Sequence, residues 1–270
     1  MNLSGKTVVV TGAGSGIGRA TAHACAAAGA HVAICDVDPN RVDAVAQELG
    51  GAALVARVVD VSKREAFSAF ADEVHEKVTA VDVIVNNAGV ALGGRFLDYS
   101  LDDWDWQLSV NLNGVVHGCH YFIPKMVERG AGGQVINVSS IFGIYPAPQT
   151  SAYVASKFAV LGFSQSLRAE MVQHKIGVTA ICPGMIATDI IGGGRMLGET
   201  ARTKSAMQKT FKRGAPPSLV AKVILESIDK NPAVRTVGKD AWAMHQITRV
   251  APGLAAKIGG RVSTMLSKSR

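Results

Sequence analysis

The sequence predicts a single-domain α/β fold of the doubly wound kind, with a central parallel sheet of about seven strands and helices on both faces. Three observations predict it. Short β-rich runs alternate with helical stretches from the first residues onward, the rhythm of repeated β-α-β units. The strand candidates, "TVVV", "VAIC" and "VIVN" among them, are continuous apolar runs. A sheet covered on both faces has such strands, whereas a strand with one wet face alternates. Finally, a glycine-rich turn, "TGAGSGIG", joins the first strand to the first helix.

Taken in order, "KTVVVTG" leads into the helix "IGRATAHACAAAG", "HVAICD" into "PNRVDAVAQELG", and "AALVARVVDV" into "SKREAFSAFADEVHEKV". "VDVIVNNAG" then leads into one long helical stretch from Ser100 to Gly130, and "GQVINVSS" into "SAYVASKFAVLGFSQSLRAEMVQHK". The strand "GVTAICPG", an irregular span over 190–214, the helix "PPSLVAKVILESIDK" and the strand "AVRTVG" follow. Gly29 and Gly50 stand where helix C-caps are expected, Pro39 in a first turn, and Ser100 with Asp103 as a capping box. Residues 1–240 read as one catalytic domain with a lid over 190–214, and residues 241–270 as a basic extension.

Composition excludes several classes. At 270 residues, with 48% hydrophobic and 18% charged, the chain can bury a large core and is neither disordered nor of low complexity. Cys25, Cys35, Cys119 and Cys182 lack C-x-x-C spacing and read as buried thiols, so neither a metal site nor a disulfide is expected. The start, "MNLSGKTVVVTG", has no cleavage site and too short an apolar run to span a bilayer, which makes the cytoplasm the expected location. The net charge of +7 is unevenly placed: residues 1–190 carry 13 Lys+Arg against 17 Asp+Glu, and residues 191–270 carry 15 against 4. An anionic partner or surface is therefore expected at the last third.

The glycine loop departs from G-x-G-x-x-G because Ile17 stands at the third glycine's place, but Gly12, Gly16 and Gly18 meet the wider pattern. With Ser15 and Ile17 they would bring free backbone N–H groups at a helix N-terminus to a pyrophosphate, as in a Rossmann-like fold. Asp36, at the end of the second strand, can accept both hydrogen bonds of an adenosine ribose diol and repels a 2′-phosphate. Ser15 supplies no cation for that phosphate. NAD is thus favoured over NADP, with Arg19 and Arg41 as the nearby cations that argue the other way. Tyr153 and Lys157 are one helical turn apart, so a cation could act on a phenol there.

With "NNAG" at 86–89, "VSS" at 138–140, "YVASK" at 153–157 and "PG" at 183–184 following that loop, the chain resembles the short-chain dehydrogenase/reductase family over roughly residues 4–240. The resemblance implies that Tyr153 is the acid/base and that Lys157, with the positive nicotinamide ring, favours the phenolate and also bonds the nicotinamide ribose. It implies that Ser140 orients the substrate oxygen, with Ser139 the neighbouring alternative. Asn111 looks like the family's helix-bending asparagine, whose backbone holds a water, with Asn113 the competing choice. Asp60 and Val61 resemble the adenine-contacting pair, and Asn87, Ala88 and Gly89 the segment packed beside it. Pro183 and Gly184 resemble the nicotinamide wall, and Ile186 and Thr188 the residues that bond the carboxamide.

Apolar residues flank these motifs, among them Val90, Leu92, Ile141, Phe142, Met185 and Met196, and no arginine is placed to clamp an acid. The expected reaction is NAD-dependent interconversion of a lipophilic alcohol and its aldehyde or ketone. An NADP-dependent carbonyl reductase and a non-catalytic nucleotide-binding protein on the same fold are the alternatives; the intact Ser140, Tyr153 and Lys157 set speaks against the second. The resemblance also implies a homotetramer or homodimer built partly from helices over 102–129 and 151–174. Nucleic acid is not an expected partner, because the basic tail lacks aromatic interleaving. The tail's pattern of Trp242, Leu254, Ile258, Val262 and Leu266 with Lys257, Arg261, Lys268 and Arg270 fits packing on a partner subunit or the core, or else weak contact with an anionic membrane surface.

Overall fold

In the computed structural model, which describes residues 3 to 251 and residue 253, the chain runs β1 (Thr7–Thr11), α1 (Gly16–Ala27), β2 (His31–Asp36), α2 (Pro39–Leu49), β3 (Ala53–Val58) and α3 (Arg64–Lys77). Then come β4 (Val83–Asn86), β5 (Leu92–Gly93), α4 (Leu101–Leu108), α5 (Gly114–Arg129), β6 (Gly133–Val138) and α6 (Ser151–Met171). The chain continues with β7 (Ile176–Pro183), β8 (Arg195–Met196), α7 (Gly198–Phe211), α8 (Pro217–Lys230), β9 (Val234–Val237) and α9 (Lys239–Val250).

Seven strands form one sheet in the order β3-β2-β1-β4-β6-β7-β9, and every neighbouring pair is parallel. The winding reverses between β1 and β4, which opens a crevice at the carboxyl ends of those strands. Successive side chains of a strand point to opposite faces. Val8 and Val10 accordingly pack with Ala22 and Cys25 of α1, Val45 of α2 and Ile224 of α8, while Val9 between them packs with Phe67 and Phe70 of α3 and Phe122 of α5. Both faces are core along the inner strands, which is why β1, β2, β4 and β7 read as mostly apolar runs, while the edge strands β3 and β9 are partly exposed and carry Arg57 and Arg235.

The helix boundaries follow the punctuation in the sequence. Asp38 caps α2 by accepting from the N–H groups of Asn40 and Arg41, and Pro39 opens the helix. Ser100 and Asp103 form a reciprocal capping box on α4. Gly29 and Gly50 both carry positive φ where their helices end.

Two segments differ from expectation. The stretch from Ser100 to Gly130 is not one helix: α4 passes into a wider π-helical turn over Ser109–Asn113 before α5 begins. The span over 190–214, read as irregular, is largely regular. In it β8 pairs in parallel with β5, and α7 fills Gly198–Phe211. The glycine triplet Gly192–Gly194 marks only the turn before β8, whereas "ETARTKSAMQK" is made mostly of residues that tolerate or favour a helix.

Beyond β9 the chain does not leave the domain at once. α9 packs against β9 and against the turn at Ile141–Gly143. The amphipathic residues Leu254, Lys257, Ile258, Arg261, Val262, Leu266, Lys268 and Arg270 lie outside the described residues. Among the described residues no helix is long and apolar enough to cross a membrane. All four cysteines are buried free thiols.

Candidate active site

The site starts from the loop between β1 and α1. Gly12 and Gly16 have φ of +62 and +52, a region open to glycine at little strain. A Cβ on Gly18 would lie 2.1 Å from the Gly12 carbonyl oxygen, and one on Gly12 would lie 2.7 Å from Ala88 Cα. Close backbone approach, more than flexibility, therefore requires these glycines. Ser15 begins α1 in an extended conformation and makes no side-chain capping hydrogen bond. The first amides of α1, including those of Gly16 and Ile17, are thus not capped by the Ser15 side chain, which fits an anionic group such as a pyrophosphate.

β4 is tied to this loop through Asn87. Its side-chain amide donates to the carbonyls of Thr11 (2.9 Å) and Gly12 (3.1 Å), while Thr11 Oγ1 accepts from Asn87 N and Ala88 N. The Asn87 side chain is a strut, and Gly89 beyond it carries the chain past Lys157. At the tip of β2, Asp36 Oδ2 accepts from Gly14 N (2.9 Å) and Oδ1 from Asp38 N (3.1 Å). The nearby cations are engaged elsewhere: Arg41 with Asp38 at 3.2 Å, Arg19 with Glu48. Past β3, Asp60 Oδ1 accepts from Ser62 N, and Val61 is buried with its carbonyl held by His117.

α6 brings Tyr153 and Lys157 to the ends of β6 and β7. Lys157 is 3% exposed; its Nζ donates to Val138 O at 3.0 Å and lies 5.8 Å from the Tyr153 ring centroid. Ser140 stands beside the Tyr153 hydroxyl, where it acts to lower the phenol's pKa, and its Oγ accepts from Phe142 N. Ser139, the neighbouring alternative, instead donates to the backbone carbonyl of Lys157 at 2.8 Å and anchors α6. Asn111 sits in the π turn, fully buried, accepting from Val90 N (2.8 Å) and donating to Val90 O (3.0 Å) and Ser156 Oγ (3.2 Å). Asn113 faces solvent. A Cβ on Gly89 would stand 3.4 Å from Asn111 Oδ1 and 3.5 Å from Lys157 Nζ, so Asn111, Gly89 and Lys157 share one small space.

The electrostatics of this cluster concern the protein groups alone, without the positive nicotinamide ring that the expected phenolate also calls on. In the protein chain Lys157 does not bring the phenol down: burial pushes Tyr153 up to about 12, opposed only by the Ser140 hydrogen bond. Burial also pushes the Lys157 ammonium down to about 8. Desolvation disfavours the charged form of both groups, and at 5.8 Å from the ring the lysine does not offset it.

At the end of β7, Gly184 N donates to Val237 O, and Ile186 pairs with Ala215 while its side chain is buried in the core. Ile186 therefore offers a ligand only backbone atoms. Thr188 stands against the glycine loop, its Cγ2 being 3.0 Å from where a Cβ on Gly16 would be. A cleft of about 780 Å³ opens beside them, lined by Ser15, Gly16, Thr188 and Lys212. Across the substrate side, Phe142 meets the Tyr153 ring edge-on at 6.2 Å. Arg195, in β8, is held by Asp103 and lies over the Trp106 ring at 4.1 Å. The supporting atoms that sequence reading missed are mostly backbone, Val138 O and Val90 N and O, and carry no signal in side-chain identity.

A doubly wound sheet with a glycine loop at its switch point, and a Tyr-Lys pair beside a serine at the strand ends, defines a nucleotide-binding oxidoreductase. Residues 6–195 match the model of the short chain dehydrogenase family, and the chain belongs to that family, whose members bind a nicotinamide cofactor. It is 42% identical over 258 residues to the probable oxidoreductase EphD of Mycobacterium tuberculosis, covering 92% of this chain and 44% of EphD, so it spans less than half of that relative's length. It is 36% identical over 255 residues to the putative oxidoreductase SadH of the same organism, covering 92% of each. Among solved structures, a short chain dehydrogenase/reductase from Burkholderia phymatum in complex with NAD is similar with a TM-score of 0.87 and 28% identity, over 94% of this chain and 96% of that one.

Proposed function

We propose that the chain is an NAD-dependent oxidoreductase that interconverts a lipophilic alcohol and its aldehyde or ketone. The observation that carries this reading is the Tyr153 hydroxyl beside Ser140, backed by buried Lys157 and Asn111 at the carboxyl edge of the sheet. Gly12, Ser15, Gly16, Ile17 and Gly18 would hold the pyrophosphate, Asp36 the adenosine ribose, Asp60 and Val61 the adenine, and Pro183, Gly184, Ile186 and Thr188 the nicotinamide end. The bound nicotinamide supplies the hydride acceptor or donor and, when oxidised, a positive ring.

The chain's own residues handle the proton. A phenol pushed up to about 12 is protonated at neutral pH, so Tyr153 is set to give its proton to a carbonyl oxygen that Ser140 holds in place. In the opposite direction the same hydroxyl must take the alcohol's proton. Cation charge beside it then matters, and Lys157, with a pKa near 8, still carries that charge at neutral pH. Asn111 fixes Val90 and, through Ser156, the start of α6.

NAD is favoured because the Asp36 carboxylate stands at the ribose end while Arg41 is paired with Asp38. The Burkholderia structure, solved with NAD, supports the same choice. The apolar Phe142 beside Tyr153 and the engagement of Arg195 by Asp103 favour a lipophilic substrate over an acid. Exposed Leu101 on α4, Val116 on α5 and Phe158 on α6 support a homodimer or homotetramer formed through those helices. A weak membrane contact through the basic tail belongs to the same proposal.

The test is a fluorescence titration with NADH and NADPH, followed by a screen of lipophilic secondary and primary alcohols for NADH formation. NADH binding more tightly, and at least one alcohol oxidised, is the expected result. NADPH binding as tightly as NADH overturns the cofactor assignment in favour of an NADP-dependent carbonyl reductase. Binding without turnover of any alcohol or ketone leaves the non-catalytic reading.

A further inference from the structure

Asp240 is the second residue of α9 and belongs to no motif, yet it reaches back 55 positions to the turn after β7. Its Oδ2 accepts from Met185 N at 2.9 Å. A Cβ on Gly184 would lie 2.2 Å from Asp240 Oδ2 and 2.3 Å from Oδ1, and one on Gly238 would lie 2.4 Å from Oδ1. Gly238 also has φ of +99. One carboxylate thus accounts for both glycines: it fills the volume a side chain would need at each. Gly184 N is held in turn by Val237 O, so the turn is gripped from β9 and from α9 at once. The same helix packs on the Ile141–Gly143 turn, which Ser140 caps.

We propose that Asp240 is a positioning residue that fixes the Pro183–Gly184–Met185 turn, and with it the wall against which the nicotinamide end of the cofactor rests. This rests on the dinucleotide reading of the site given above. Asp240 touches neither cofactor nor substrate in this account; it acts through the Met185 N–H. An acid in the first turn of a helix is also favourable for the helix dipole alone, and the two roles make opposite demands. The dipole needs negative charge, whereas the turn needs an acceptor at one place.

Two variants separate them. Asp240→Asn keeps an oxygen at the same reach and loses the charge. Asp240→Glu keeps the charge near the helix start and moves the acceptor by one methylene. Each is titrated with NADH, or with NADPH if that is the dinucleotide the wild type binds, alongside thermal unfolding and KM and kcat for an oxidised alcohol. We expect Asp240→Asn to bind within about twofold of wild type and Asp240→Glu to bind about tenfold more weakly, with KM for the dinucleotide raised more than kcat is lowered. The reverse order, with Asp240→Asn impaired and Asp240→Glu normal, assigns Asp240 to the dipole and overturns the proposal. So do two variants that bind as wild type does. If the wild type binds neither dinucleotide, the reading of the site itself fails, an outcome distinct from either.

Discussion

The Asp36 carboxylate accepts the Gly14 N–H at 2.9 Å, so the acid at the tip of β2 also pins the middle of the glycine loop. A Cβ on Gly14 would lie 2.8 Å from Asp36 Oδ2. On the proposed cofactor reading, ribose selection and loop shape are coupled in one side chain. Asp36→Asn keeps an acceptor for Gly14 N, gives up the one for Asp38 N, and removes the charge that would repel a 2′-phosphate. The expected result is an unfolding midpoint lowered by the loss of one hydrogen bond and an affinity ratio of NADPH to NADH raised by about tenfold or more, read by fluorescence titration. An unchanged ratio contradicts the role given to the charge.

Gly18→Ala tests the loop by volume. The added methyl would stand 2.1 Å from the Gly12 carbonyl oxygen and 2.5 Å from Asn87 Nδ2, and backbone cannot yield as a flexible side-chain tip can. Dinucleotide affinity should fall by more than about tenfold, with overpacking of about 1–3 kcal/mol visible in chemical denaturation. Wild-type affinity in this variant would mean that the loop closes differently.

Lys157 makes a prediction in stability against pH. Its folded pKa is near 8, below the ordinary 10.5, because the buried ammonium is poorly solvated. The unfolded chain therefore holds this proton between about pH 8 and 10.5 when the folded chain does not, and the destabilisation present below pH 8 is relieved across that window. Lys157→Met lacks the effect. The stability advantage of Lys157→Met over wild type should shrink by on the order of 3 kcal/mol between pH 7.5 and 10.5, measured by urea unfolding of both proteins at each pH. A pH-independent difference means that the ammonium is well solvated in the fold.

The cysteines make a negative prediction. Burial pushes Cys25, Cys119 and Cys182 up to about 12, and Cys35 higher still with Asp36 beside it; the Lys157 charge near Cys182 does not offset its burial. Thiolate is the reactive form. An aromatic disulfide reagent at pH 8 should label none of the four in the folded protein and all four after unfolding. Rapid labelling of one thiol in the native state identifies an opening that the fold does not contain.

Much of this was legible in the sequence because the informative features are patterns of side chains. Val8, Val9 and Val10 read as a strand buried on both faces, and they are. The Tyr153–Lys157 spacing predicts one helix face, and α6 delivers it. On spacing alone the sequence favours Ser140 over Ser139 and Asn111 over Asn113, but it does not say what each side chain bonds. Ser139 is committed to Lys157 O and Asn113 to solvent, facts of tertiary placement. The helix α7 was hidden behind three glycines and a run of charges that resemble a loop. The upward shift of Tyr153 was not legible either, since depth of burial outweighs a cation one turn away. Asp240 left no trace, because its partner is a backbone amide 55 residues earlier.

The central claim is that one phenol exchanges the proton while the carbon centre changes oxidation state, and Tyr153→Phe tests it most directly. The ring that packs against Phe142 is retained and only the hydroxyl beside Ser140 is lost. Single-turnover transfer between NADH and a lipophilic ketone should slow by about 10²–10⁴-fold while NADH affinity stays within about twofold of wild type. Transfer at the wild-type rate in a folded, NADH-binding Tyr153→Phe protein would contradict the account.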